Sequence, residues 1–388
     1  MVKNSLLFLV MVLCFLTGNC YGSLNLPVKQ IGNITYNGYL QEMRTGENTI
    51  FFNTGDRIKF YNKKNMAIVY ERAITKNEIV FASDNAEYFI SVCIKADSNR
   101  EWGGNLKIES IRVYDFKGNL LRDVSDFQSL SGENYPTMFI SNSGKTIVSM
   151  DYENGGYAFY QGTKKNFSSM LEFTATFSKN GETFAINGSA GEKSFFVLLN
   201  DKGDVIEKTE WPFVLENDGS PGEILLGENL AILIRFSQGI QEVVKITKNQ
   251  IEIIDKGVMG YGHLAWNDKQ NLLAIATDKV KMIDLQSKST LWSYMFNMQE
   301  LRIDHIALSS SKTNYTLVSG TTAAYRAISG ANEPRYVYLF DRSGNLIWNE
   351  TFDGHIYNNM EHSPWIAFLE DKRFIVGLPD KAFLYVIK

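Results

Sequence analysis

The chain has 388 residues, 43 acidic against 39 basic side chains, and three cysteines. A net charge of −4 without a Lys/Arg cluster argues against nucleic acid as a partner, and so few cysteines exclude a disulfide framework. Proline is scarce and no long stretch of 3.6-residue periodicity appears, so the core must be built from short strands.

The first 22 residues have the layout of a secretory signal. Lys3 is followed by the apolar run Leu6 to Leu16 and then by Thr17-Gly18-Asn19-Cys20-Tyr21-Gly22. The run is too short to span a bilayer. Cleavage after Gly22 is the favoured reading, with a lipoprotein signal that lipidates Cys20 as the alternative. The expectation is an exported protein (periplasmic, cell-surface or extracellular), with a membrane involved only through such a lipid, and a domain over residues 23–388. Cleavage leaves Cys93, which sits in the apolar run Tyr88 to Ile94 and is expected to be a buried, inert thiol. Five N-x-S/T sequons, at Asn33, Asn166, Asn187, Asn314 and Asn349, would accept glycans only in a glycosylating host.

A strand–turn–strand phrase recurs along the rest. Its clearest copies centre on Asp115-Phe116-Lys117-Gly118-Asn119, Asn200-Asp201-Lys202-Gly203-Asp204 and Asp341-Arg342-Ser343-Gly344-Asn345. Gly supplies a positive φ and Asp or Asn at the turn start bonds the turn backbone, as a tight hairpin requires. A second phrase, Ser-x-x-Gly, follows apolar runs at Ser141–Gly144 and Ser178–Gly181. Read together they give units of four strands, a to d. Strand c falls near Ile58, Ile111, Tyr157, Phe195, Val243, Val280, Val337 and Phe383. That predicts an all-β, single β-propeller of about eight four-stranded blades; seven is the other count, because the unit at Gly155–Gln161 is weak. The last unit lacks a strand d, and Val28–Tyr36 lacks a partner, so the N-terminal strand is expected to close the ring.

These phrases, with the ending Gly344-Asn345-Leu346-Ile347-Trp348 and a looser copy at Leu285–Trp292, resemble the broad superfamily of WD-repeat-like and pyrroloquinoline-quinone-type β-propellers. The resemblance covers essentially all of the chain after the leader and implies a fold, not an activity. It implies that Trp292 and Trp348, and less firmly Trp211, pack between blades. The Thr-Gly of the quinone-type repeat and the adjacent Cys pair of quinoprotein dehydrogenases are absent, so no quinone is implied.

In an up-and-down blade the b–c loops and d–a connections share one end. The long insertions are all of these kinds: Lys95–Asn105, Pro212–Gly222, Gly320–Pro334 and Asp353–Ser363. Loops on a rigid scaffold are where binding concentrates, and Tyr, Trp and Arg dominate protein interfaces. Arg100, Trp102, Tyr325, Arg326, His355 and Tyr357 are therefore the candidate partner-binding residues, for a protein, peptide or glycan.

All four histidines lie between 263 and 362. His263 and His305 occupy equivalent places at the start of two strands a, and His362 is assigned the corresponding place in the next unit, with Asp304 as the nearest carboxylate partner. Three imidazoles at one channel mouth could hold a metal ion. No cofactor is otherwise implied, and no phosphate loop, G-x-S-x-G elbow or C-x-x-C motif occurs. The favoured function is an exported, non-enzymatic binding or scaffold module; the alternative is a channel-mouth enzyme, a metal-assisted hydrolase or lyase using His263, His305 and His362.

Overall fold

A computed structural model describes residues 27–96, 106–124, 137–151, 156–159, 164–166, 170–190, 193–212, 222–237, 240–248, 250–257, 262–277, 279–296, 301–310, 313–322, 334–353 and 364–388. These residues form eight four-stranded antiparallel sheets. In chain order the sheets, here blades 1 to 8, cover residues 42–73, 78–124, 137–166, 170–212, 224–256, 263–295, 301–352 and 365–387. The weak unit forms its own sheet, blade 3, with Gly156–Phe159 as strand c. Blade 8 supplies only strands a to c from the C-terminal end, and its fourth strand is Val28–Thr35. That strand pairs antiparallel with Lys381–Ile387, from Val28 opposite Ile387 to Thr35 opposite Lys381. The ring closes as the sequence predicts.

The apolar core is divided among the seams between blades. Among the described residues eight buried clusters occur, and each joins one blade to the next. Phe51, Ile58 and Phe60 of blade 1 pack on Val80 and Phe89 of blade 2. Leu317, Val337 and Leu339 of blade 7 pack on Phe374, Val376 and Tyr385 of blade 8. Tyr36, Leu369 and Ile375 pack on Met43, Ile50 and Phe52, which carries the ring from blade 8 back to blade 1. Because both faces of a blade are covered, strands b read as unbroken apolar runs, as in Leu272–Ala276, buried at every residue. Outer strands d are covered on one side. Ser289–Met295 buries mainly Trp292, which reaches blade 7 and stacks on Phe340 at 5.8 Å. Trp348 likewise meets Phe374 and Tyr385 of blade 8, and Trp211 lies in the seam between blades 4 and 5.

The recurring phrase closes the c–d hairpins of blades 2, 4 and 7 as its chemistry requires. One carboxylate oxygen of Asp341 accepts from the Ser343 and Asn345 backbone N–H groups, and the other accepts from the Asn345 side-chain amide, at 2.8–2.9 Å. Asp115 does the same, and Asn200 plays the part through its amide. Gly344 has φ +82°, and a Cβ there would stand 2.6 Å from the Trp292 ring. Two demands meet at this glycine: a left-handed backbone and room for the neighbouring blade's indole.

Two local expectations are corrected. Cys93 is half-buried rather than buried; it shares a face with Phe89 and Ser91, opposite the row of Ile90, Val92 and Ile94, and sits where the register of strand b shifts. Among the sequons, Asn187 is 1 % exposed and its amide donates to the carbonyls of Gly222 and Ile234 in blade 5, a structural tie rather than a modification site.

Candidate functional site

The four long insertions leave the ring from one end. Their anchoring strand ends fix this: Ala96 pairs with Leu106, Thr321 with Arg335, Arg335 with Phe352, and Lys193 with Pro212. Arg100, Trp102, Tyr325, Arg326, His355, Tyr357 and His362 themselves lie outside the described residues. So do residues 1–26, which carry the proposed signal and Cys20.

The described side chains that converge do so on the axis. The inner strands enclose a cavity of about 610 Å³. Its wall has two characters. Blades 2 to 4 contribute Phe81, Phe139 and Phe177 with Thr137, Thr174 and Thr176. Blades 5 to 7 contribute the titratable groups Glu223, His263, Arg302, Asp304 and His305, and blade 1 adds Glu42 and Arg44.

Arg44 bridges two strands. Its Nε donates to Glu42 at 2.7 Å, and a terminal nitrogen donates to Asp84 of blade 2 at 2.8 Å. Burial works against its charge, but the Glu42 and Asp84 carboxylates outweigh it and hold its pKa above the usual guanidinium value. Thr176 of blade 4 donates to the other Asp84 oxygen at 3.3 Å, reaching past blade 3. Arg302 and Asp304 pair at 2.8 Å, so the carboxylate nearest His305 is engaged by a guanidinium.

Glu223 sits just before the inner strand of blade 5. Its Oε2 accepts the backbone N–H of Leu264 at 2.7 Å and lies 3.7 Å from Nδ1 of His263. Burial pushes this carboxyl up to about 7, against the opposing pull of the Leu264 N–H and of Arg44. The same burial lowers His263, with Asp304 opposing. Carboxyl and imidazole are thus drawn toward each other in proton affinity. Protein surrounds the carboxyl, yet 41 % of its side chain is exposed, toward the cavity it lines, and lumen water moderates the effect.

A stability consequence has a definite sign. Between the ordinary carboxyl value and about pH 7, the native state holds a proton on Glu223 that the unfolded chain has released. Stability attributable to this group therefore falls as pH rises through that window. Glu223→Gln is expected to melt with the wild type at pH 4.5 and at or above it at pH 8. Calorimetry at the two pH values checks this, and a variant that melts lower at pH 8 than at pH 4.5, relative to wild type, would refute it.

The histidines are partly brought together. The His263 and His305 rings stand 6.3 Å apart. On blade 8, Trp365 stacks on His305 at 4.6 Å, and His362 lies outside the described residues. Trp365 itself begins the inner strand of blade 8. Among the described residues no group of three His, Cys, Asp or Glu side chains is placed to hold a metal ion. Sequence reasoning missed Arg44 and Glu223, which carry the cavity's electrostatics; Arg44 lies on a four-residue strand and Glu223 just before a three-residue one, and no motif marks either.

No protein-family model and no curated protein matches the chain in sequence. Solved structures do match in shape. The Dos1 propeller is 9 % identical with a TM-score of 0.56, over 93 % of this chain and 96 % of that one. The Cps50 (Swd1) β-propeller domain of Myceliophteria thermophila is 11 % identical with a TM-score of 0.50, over 93 % of this chain and 100 % of that one. At such identities the likeness is one of architecture, and it agrees with the sheet order and closure seen here: the chain is a single β-propeller of four-stranded antiparallel blades.

Proposed function

We propose that the chain is an exported propeller that binds a protein or peptide through the end bearing its long insertions. The observation that carries the reading is the convergence of strand ends described above. The b–c and d–a connections that were free to lengthen share one end of a rigid ring, while the described c–d hairpins stay tight and internally hydrogen-bonded. Such a scaffold holds variable loops at fixed separations, which lowers the ordering cost of recognition. Export rests on the leader's composition.

The test uses the full chain with Trp102, Tyr325 and Arg326 replaced by alanine together. Capture of partners from the producing cells is expected to fall at least about tenfold, the loss of one or two aromatic or arginine anchors, while the melting temperature stays within about 2 °C because surface changes cost little. Undiminished capture would place the recognition surface elsewhere.

A further inference from the structure

We propose that the axial cavity is a binding site for an organic cation, an ammonium or guanidinium on a short apolar stem, with Glu223 as its counter-ion. Three observations carry this. The first is the charge count around the cavity: Glu42, Asp84, Asp304 and Glu223 oppose Arg44 and Arg302, so an ionised Glu223 leaves the lining with net negative charge. An anionic guest would add to that excess, whereas a cation offsets it.

The second is the state of Glu223. Arg44 is occupied by Glu42 and Asp84, and Arg302 by Asp304. The close partners of Glu223 are a backbone N–H and an imidazole, both on Oε2, and Oε1 accepts nothing among the described residues. The carboxyl is therefore exposed to the lumen with an open acceptor. The third is the opposite wall. Phe81 and Phe139 are half-buried rings lining the cavity, and they offer an apolar and cation–π surface for the stem. An unpaired carboxylate in this surrounding is costly, so burial favours the protonated form of Glu223; pairing with an entering ammonium would offset that cost and let Glu223 release its proton to solvent.

The site is separate from the loop residues of the preceding reading, so the two fail independently: loss of capture in the Trp102, Tyr325 and Arg326 variant says nothing about the cavity, and a cavity variant says nothing about the loops. The charged and titratable groups that face Glu223 are Glu42 and Arg44 from blade 1, Asp84 from blade 2, His263 from blade 6, and Arg302, Asp304 and His305 from blade 7. Glu223, raised by burial toward neutral pH, must lose its proton for the guest to bind, and His263, lowered by burial, would compete with the guest when protonated at lower pH. Both act in the same direction.

Isothermal titration of the full chain tests the proposal, with n-butylammonium, Nα-acetyl-lysine N-methylamide, 1-butanol and butyrate as probes. The two ammonium probes are expected to bind and the alcohol and carboxylate to bind at least about tenfold more weakly. The tighter of the two ammonium probes identifies the source, a free amine or a lysyl side chain. Affinity in the wild type is expected to strengthen about tenfold from pH 6 to pH 8, with release of a proton visible in the buffer dependence of the heat. Glu223→Gln is expected to abolish both the pH dependence and the proton release. Phe139→Leu, which keeps the apolar volume and removes the ring, is expected to weaken the ammonium probes and leave proton release intact. Equal or tighter binding of butyrate, no binding of either ammonium probe at pH 8, or ammonium binding that is flat from pH 6 to pH 8 would overturn the proposal.

Discussion

Removing residues 27–36 is expected to make the protein aggregate and to lower the melting temperature by roughly 5–10 °C. The segment supplies the outer strand of blade 8 and pairs with Lys381–Ile387 along its whole length. Val28 is 4 % exposed and belongs to the seam between blades 7 and 8; losing its burial alone costs about 2 kcal/mol. Tyr36, 6 % exposed, belongs to the seam between blades 8 and 1, so the deletion loosens the ring on both sides of its closure. The larger consequence is topological. With its partner gone, Lys381–Ile387 becomes an open edge with unpaired backbone donors and acceptors, the template for edge-to-edge association. Light scattering and size exclusion report the association. A synthetic peptide of residues 24–37 added in trans should suppress the association, because an added strand satisfies the same backbone groups. A truncated protein that does not aggregate and melts with the wild type would mean that the ring does not depend on this closure.

How much of this was legible depends on how local the determinant is. The c–d turn was readable because its parts are five consecutive residues: Asp341 bonds Ser343 and Asn345 within its own loop. Trp292 and Trp348 were readable as seam residues because each ends a repeat whose geometry sends it toward the next blade. The a–b turn was only half legible. Ser141–Gly144 and Ser178–Gly181 carry the expected glycine, but blade 2 builds the same turn on Ser83–Ala86, with Ala86 at φ +52°. Local bonds of Ser83 and Asn85 hold that non-glycine turn, and a non-local pair adds to them: the Asn85 N–H and side-chain amide both bond Asn142 of blade 3. The cavity was the least legible part. Arg44, Asp84, Glu223 and Asp304 come together only because four inner strands meet at one axis, and their spacing in the chain follows blade length, which says nothing of chemistry. The loop residues chosen from composition, Trp102 and Tyr325 among them, lie outside the described residues, so their support is the position of the strand ends that carry them.

The seams also decide how the ring unfolds. Phe340 is fully buried on strand c of blade 7 and touches three aromatic rings of blade 6: Trp292 at 5.8 Å, Tyr294 at 4.8 Å and Phe296 at 6.3 Å. Phe340→Ala removes the ring around which the blade 6–blade 7 cluster is arranged and is expected to cost about 3–5 kcal/mol, the usual range for a buried Phe with limited collapse. Phe116, on the c–d turn of blade 2, is half-exposed, and Phe116→Ala is expected to cost no more than about 1 kcal/mol. Urea unfolding of the two variants compares them directly. If the ring unfolds as one unit, Phe340→Ala shifts the midpoint and leaves the slope unchanged. If the weakened seam lets one arc of blades open first, the transition broadens or splits, because blades joined mainly by nearest-neighbour contacts lose cooperativity when one contact fails. A Phe340→Ala variant as stable as Phe116→Ala would show that burial at the seams is not what holds the blades together.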